Sequence, residues 1–358
     1  MHEHPTARLT IDLEAIAANY AELAALAAPA LVAAVVKANA YGLGMLPVAA
    51  RLRAAGCRSF FVATPDEGLA LRAADAAARV FVLAGAGAAA VPALVGAGLV
   101  PVLNTLEEIH DWSTHAGGAP AALHLDTGMM RLGLDEREVE RLCALPALLA
   151  ALKLELVMTH LACADEPEHP QNAAQLSLFE TLCARLPAAP RSIGNSAGML
   201  LGPAYRGDLV RPGIALYGGR PFARGPNPMR PVARLEARVL QIHVVQRDAT
   251  VGYGATHVAR APSRLATVGA GYADGYPRAL GGRGYAWAAG HAVPVVGRVS
   301  MDLTTLDVSD LPAGALAVGD WVDLVGGGVP LEEVARLAGT ANYEVLTRFT
   351  ARAQRHYQ

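Results

Sequence analysis

Lys37 closes the uninterrupted apolar run of LVAAVVKANAYGLG, residues 31–44, and a small, turn-forming tail follows it. A lysine in that position usually carries its charge back to water on a flexible apolar stem. At the carboxyl end of a buried strand the outcome differs: a low-dielectric wall depresses the amine's pKa and makes it a nucleophile or base. Polar residues recur at the ends of further apolar runs, at Asn104, Asp126, Thr127, His160, Asn195, Ser196 and Arg211. Two of those ends, NSAG (195–198) and RPGI (211–214), combine small residues and free backbone N–H groups with the Ser196 hydroxyl. Such a set can cradle a phosphate, although a pair of strand-to-turn glycines reads the same way.

The elements that must position these residues repeat one unit from Leu31 to Gly218: a β-rich run, a polar turn, then an Ala/Leu stretch of helical period. The runs are LVAAVVK, SFFVAT, RVFVLA, LVPVLN, AALHLDT, LELVMTH, RSIGNS and LVRPGIALYG. Continuous Val/Ile/Leu runs alternating with helices indicate parallel strands covered on both sides. Eight of them suggest an α/β fold closed as a (β/α)8 TIM-like barrel, with its chemistry at the carboxyl ends of the strands; open sheets of six or seven units fit the same rhythm. After about residue 230 the pattern turns strand-like without regular helices, and the proline-studded GRPFARGPNPMRP between the two regimes reads as a linker. The expected organisation is a barrel domain over 1–230 and a mostly-β domain over 231–358. Residues 1–12 are a candidate to join the second domain, followed by a helix with Leu13, Ile16, Tyr20 and Leu23 on one face.

Composition narrows the classes. The 358 residues are 53% hydrophobic and 17% charged, with a formal net charge of −2, which describes a well-buried globular chain and offers no basic field for nucleic acid or a membrane surface. Val80 to Leu106 lacks charge but is interrupted by Pro92, Pro101 and four glycines, unlike a membrane span. The opening residues carry acids and no apolar core of a signal peptide, so a cytoplasmic location is expected. Cys57, Cys143, Cys163 and Cys183 are widely spaced, and no metal site is read from His160 and Cys163 alone. VFVLAGAGAAAV has the GxGxxA form of a dinucleotide loop with Glu107 and Glu108 downstream, but Pro92 falls where the binding helix should run, and a structural turn is the favoured reading.

Nine segments, VVKANAYGLG, DTGMMRLGL, THLACADEP, GNSAG, VRPGIALYGG, VGYGAT, GYADGYPR, GRVSMD and NYEVLTR, occur in an order and over a span that resembles the alanine racemase family. That resemblance implies a bacterial enzyme using pyridoxal 5'-phosphate in a barrel followed by a β domain. It implies that Lys37 anchors the cofactor covalently, that Tyr41, Ser196, Gly213, Ile214 and Tyr343 hold its phosphate, and that Asn195 belongs to the cofactor contacts. Arg211 matches the arginine at the pyridine nitrogen, and His160 the histidine linking Arg211 to a tyrosine. Lys37 and Tyr253 match the two bases on opposite faces of the substrate, Lys37 for the D- and Tyr253 for the L-enantiomer. Arg131, Met301 and Asp302 match residues that receive the substrate carboxylate, and Arg131 also borders the cofactor. Tyr272, Asp274, Arg278 and Arg298 resemble the lining of an access corridor.

The same resemblance implies a homodimer in which Tyr253, Met301 and Asp302 reach the partner's site, and D-alanine supply for peptidoglycan or catabolism of one enantiomer. Two positions depart from it. His124 stands where many members have a lysine carrying a carbamate, so no carbamate can form there; Leu43 stands where a histidine is common. A broad-specificity amino-acid racemase of the same fold and a non-catalytic pyridoxal-phosphate carrier are the competing readings.

Overall fold

The computed structural model describes residues 5–358. Strand β1 (Ala7–Ile11) buries Ala7, Leu9 and Ile11 in alternation, and a helix over Leu13–Ala27 follows, capped by Asp12 Oδ1 accepting from Ala15 N at 2.7 Å. Ile16, Tyr20 and Leu23 are buried along that helix, as their spacing requires.

The eight runs read from the sequence are eight parallel strands: β2 (Leu31–Val35), β3 (Ser59–Val62), β4 (Arg79–Val82), β5 (Val100–Leu103), β6 (Pro120–His124), β7 (Lys153–Met158), β8 (Arg191–Ser192) and β9 (Leu209–Val210). Each pairs with its successor from β2 to β8, and β9 pairs with β2. A parallel bridge between Asn195 and Arg211, with Arg211 N donating to Gly194 O at 2.8 Å, joins the two ends into a nearly closed barrel. All four residues of β5 are buried, as a strand covered on both faces must be. Thr64, Thr105 and Asp135 end βα turns and accept from the N–H three residues on, which starts the covering helices. The strands run in one direction, so the polar residues that end them meet at one rim.

The GxGxxA stretch is structural. A short helix over Val91–Gly96 carries Pro92 in its first turn, and Gly85 leaves room for the Glu108 carboxylate, which accepts from Asn104 N at 2.6 Å.

Past the barrel, β10 (Ala233–Val245) is the long strand of a second sheet. It pairs antiparallel with β1, β13 (Ser263–Val268) and β17 (Trp321–Val325), and β1 pairs in parallel with β18 (Gln354–Tyr357). The first strand of the chain therefore lies in the C-terminal sheet; residues 1–4 of the N-terminal segment lie outside the described residues. The remaining strands are the hairpin β11 (Ala249–Val251) and β12 (His257–Ala259), the hairpin β14 (Tyr285–Ala288) and β15 (His291–Pro294), and β16 (Thr304–Asp307) beside β13. The expectation of no regular helix after residue 230 is corrected by helices over Leu331–Ala338 and Asn342–Thr347. In the first, Glu332 and Glu333 favour the helix N-terminus, and Gly339, at φ +69°, ends it. The second sets Tyr343 against the barrel rim.

The linker over 219–231 has no regular element but is held at both ends. Asn227 Nδ2 donates to Gly218 O at 2.8 Å, and the fully buried Asn19 donates to Leu216 O and Arg230 O while accepting from Arg230 N at 2.8 Å. Asn19 thus ties the first helix to the barrel exit. Asn19→Ala leaves three backbone groups without this partner, the Leu216 carbonyl among them buried, and urea unfolding is expected to show a loss of about 2–4 kcal/mol; an unchanged midpoint would sink that role.

Candidate active site

A cavity of about 720 Å³ opens at the carboxyl end of the barrel. Lys37, Tyr41, Arg131, His160, Asn195, Ser196, Arg211, Gly213, Ile214 and Tyr343 all line it, and so does His124. Every residue read as a cofactor contact is therefore brought together. Leu43 is fully buried and is not part of the lining.

Lys37 leaves β2 into an unusual turn. Ala38, Asn39, Ala40 and Tyr41 all hold left-handed angles, with φ of 52°, 55°, 53° and 55°. Ala40 N donates back to Val36 O at 2.8 Å, Gly42 N to Ala38 O at 2.8 Å, and Gly44 N to Asn39 O at 2.9 Å. Side chains complete the turn: Asn39 Oδ1 accepts from Met45 N at 2.8 Å, and Glu67 Oε1 accepts from Ala38 N at 2.7 Å. From the last strand, Arg355 donates to Gly42 O at 2.8 Å and Tyr357 to Leu43 O at 3.1 Å. Gly42 sits at φ +85°, where a Cβ would fall 2.5 Å from Leu346 O. Burial and the nearby Arg131 cation push the Lys37 amine below its ordinary pKa, with Glu67 opposing them.

The turn brings Tyr41 against Gly213, just past the end of β9, the strand paired with β2. A Cβ on Gly213 would lie 2.2 Å from the Tyr41 hydroxyl, so only glycine allows that approach. Ser196 Oγ accepts from Gly213 N at 2.9 Å and from Ala215 N at 3.2 Å. The Tyr41 ring packs between Tyr217 and Tyr343, at centroid distances of 4.8 and 6.0 Å. Burial raises the pKa of Tyr41 and Tyr343, which keeps both as O–H donors. Hydroxyls and backbone N–H groups gathered on one wall suit an anion.

The lining also carries cationic groups. Arg211 is buried and donates to Ser192 Oγ, to Thr159 O at 2.6 Å and to Ile193 O at 3.3 Å. Burial brings it down to about 9, which leaves it protonated at neutral pH. Among the described residues neither Arg211 nor Arg131 pairs with a carboxylate; Glu344, the acid of the lining, is exposed and pairs with Arg348 at 2.6 Å. Arg131 rides on the 126–134 loop, where Asp126 Oδ1 accepts from the N–H groups of Gly128, Met129 and Met130. Burial and the Arg211 cation hold His160 well below its ordinary pKa, so it is neutral. Lys37, Arg131 and Arg211 thus face one cavity without a buried counter-ion.

Tyr253, Met301, Asp302, Tyr272, Asp274, Arg278 and Arg298 do not line this cavity. They gather on the C-terminal domain instead. Gly254 lies against the Arg298 guanidinium, Tyr272 N donates to Ser300 O at 3.1 Å, and Arg352 bridges Asp274 at 3.3 Å and Asp302 at 2.6 Å. Tyr253 is 71% exposed and Met301 52%.

The family models describe the same two parts: "Alanine racemase, N-terminal domain" matches residues 11–221, and "Alanine racemase, C-terminal domain" matches residues 232–357. The chain belongs to the alanine racemase family. An alanine racemase of Rhodospirillum rubrum is 50% identical over 99% of this chain and 96% of its own length. A catabolic alanine racemase of Agrobacterium fabrum is 49% identical over 98% and 91%. The crystal structure of alanine racemase from Bartonella henselae with covalently bound pyridoxal phosphate superposes with a TM-score of 0.95, at 40% identity, over 99% of this chain and 100% of that one.

Two groups at this alanine racemase-type rim escaped the sequence reading. Glu67 is one. Gln175 is another: its Nε2 donates to Thr127 Oγ1 at 3.2 Å and His160 O at 3.0 Å, which ties two strand ends together. Asn104, read from the sequence as a strand-end residue, is the partner of His124. Asn104 Nδ2 donates to Val102 O at 2.8 Å and Leu83 O at 3.2 Å, which fixes Oδ1 toward His124 Nδ1 at 2.9 Å. Burial and the Arg211 cation lower His124 to about 4, so at neutral pH it is uncharged, with its proton on Nδ1 and a lone pair on Nε2. A neutral histidine adds no fourth charge beside the arginines.

A histidine whose pKa is depressed by folding contributes stability above its unfolded value near 6.5, and loses it as pH falls toward the folded value. Between pH 6.5 and about 4 the contribution of His124 is expected to decline by up to about 1.4 kcal/mol per pH unit. Urea unfolding of wild type and His124→Gln across that window measures it: wild type should lose more stability than the variant, and parallel curves would contradict a buried neutral His124.

Proposed function

We infer that the chain interconverts L-alanine and D-alanine with pyridoxal 5'-phosphate as its cofactor. The observation that carries this reading is the cavity's composition: a depressed-pKa lysine, two arginines without carboxylate partners, and a hydroxyl and N–H cradle that a Cβ on Gly213 would fill. A phosphate and a substrate carboxylate supply the missing negative charge. The cradle of Tyr41, Ser196, Gly213, Ile214 and Tyr343 would hold the phosphate, Lys37 the aldehyde carbon, and Arg211 the ring nitrogen, with Asn195 and His160 bordering the ring.

When bound, the cofactor supplies an electron sink that makes the substrate Cα proton removable. The protein's part is to place bases and set charges. Arg211 donates and cannot accept, so a ring nitrogen facing it stays an acceptor and the sink is moderated. Arg131 orients the substrate carboxylate, with the backbone N–H groups of Met301 and Asp302. The Lys37 Nζ, whose pKa burial lowers, takes or returns the proton on one face. Inversion also requires a base on the other face, and Tyr253 is that base. Met301 beside the substrate limits it to a methyl-sized side chain. Tyr272, Asp274, Arg278 and Arg298 border the route in.

Tyr253 serves the cavity of a second copy, so the active form is a homodimer with composite sites. Its exposure with Met301 and Leu303 on the C-terminal domain, outside the cavity lining of its own chain, supports this. Four free cysteines support a reducing, cytoplasmic setting. D-alanine for peptidoglycan and catabolism of one enantiomer are the two uses of this reversible reaction.

Mixing tests the reading. Lys37→Ala and Tyr253→Phe are each expected to lose nearly all alanine racemisation. After subunit exchange the mixture should regain about a quarter of wild-type activity, because half the dimers are mixed and each carries one intact site. A mixture as inactive as its parents would contradict the composite site, and lysine turnover equal to alanine turnover would contradict the small substrate.

A further inference from the structure

Glu67 lies outside the cavity lining, yet both its oxygens are committed, one to the turn that carries Lys37 and one to the end of the adjacent strand. Its Oε1 accepts from Ala38 N at 2.7 Å, and its Oε2 accepts from Ala63 N at 2.8 Å. Ala38 follows the lysine at the end of β2, and Ala63 is the residue after β3, so one carboxylate clamps the ends of two adjacent barrel strands. Its own position is fixed from the helix over Pro65–Ala74, where Glu67 N donates to Thr64 Oγ1 at 3.3 Å. The Ala38 N–H is the first donor of a left-handed turn and has no carbonyl behind it to use; the carboxylate is its acceptor, and such charge-assisted bonds are stronger than neutral ones.

We propose that Glu67 is the positioning residue of this active site: it fixes the left-handed turn and so aims the Lys37 amine into the cavity. The inference rests on Lys37 being the cofactor's anchor. Glu67 also acts electrostatically. The other groups that act within this charge cluster are Arg131 and Arg211, both cationic, His160 and His124, both neutral, and Asp126, whose carboxylate acts on His124. Glu67 is the anion that acts on Lys37, where it favours the protonated amine.

The test compares Glu67→Gln and Glu67→Asp with wild type in the full-length chain. Glutamine keeps one acceptor oxygen and turns an N–H₂ toward the other backbone donor, while aspartate keeps the charge but falls a methylene short. Acetic anhydride labelling of Lys37 across pH, with the cofactor removed and the adduct mapped by mass spectrometry, reads the amine directly. Removing an opposing anion lowers an amine's pKa, so the labelling midpoint of Glu67→Gln is expected to fall by roughly one pH unit. Glu67→Asp is expected to keep the midpoint. In the holoenzymes both variants should lose kcat by about 10–100-fold with KM changed far less, as small misplacements of a catalytic group do.

A wild-type midpoint together with a wild-type kcat in Glu67→Gln would overturn the proposal. Should that variant fail to fold, hydrogen exchange at the wild-type Ala38 amide decides: strong protection supports the clamp, and exchange at the rate of an open loop refutes it. Protection of wild-type Lys37 from labelling by pyridoxal phosphate separates the two levels. Without it the anchor reading fails; with it, an unchanged Glu67→Gln refutes only the role of Glu67.

Discussion

The left-handed turn behind Lys37 is the constraint on which the site depends. Residues other than glycine lose about 1–2 kcal/mol each in that conformation, and four of them stand in succession at Ala38–Tyr41. The sum is of the order of a domain's whole net stability, so the turn persists only because its surroundings over-determine it. Those surroundings come from every part of the chain. Glu67 holds the turn from the helix that follows the neighbouring strand, Asn39 from within, and Arg355 and Tyr357 from the final strand. The C-terminal sheet, whose β18 carries the last two, thereby helps to shape the catalytic end of the barrel.

Charge is the second organising quantity. Lys37, Arg131 and Arg211 converge where burial penalises each of them, and no buried carboxylate of the lining compensates. An apolar barrel rim tolerates such an excess only as a site for anions, and a phosphate with a carboxylate matches it in sign. The neutral state of His160 and His124 keeps the excess from growing. Asn104, locked by two carbonyls, extends that control by choosing the tautomer of His124.

The barrel was legible because parallel strands covered on both faces must be continuously apolar, and the residues that end them must then share a rim. Lys37, Asn195, Ser196 and Arg211 could be placed on that rim from pattern alone. Their roles could not: a tyrosine between glycines, such as Tyr253, reads as a turn residue until the family resemblance assigns it a proton. Other features left no local signal. TPDEG presents Glu67 as an ordinary acidic residue in a helix's first turn, and nothing in KANAY marks a left-handed backbone, because apart from Asn39 the groups that hold it come from residues 67, 355 and 357. The two late helices were missed since eight and six residues give too little periodicity to stand out among strands.

The claim at the centre of this account is that Lys37, held by that turn, is the covalent anchor of the cofactor. Borohydride reduction of the purified protein, with absorbance recorded before and after and the reduced adduct mapped by mass spectrometry, tests it most directly. The account predicts loss of the visible band and a phosphopyridoxyl group on the peptide carrying Lys37. A band unaffected by borohydride, or an adduct on Lys153, would contradict it.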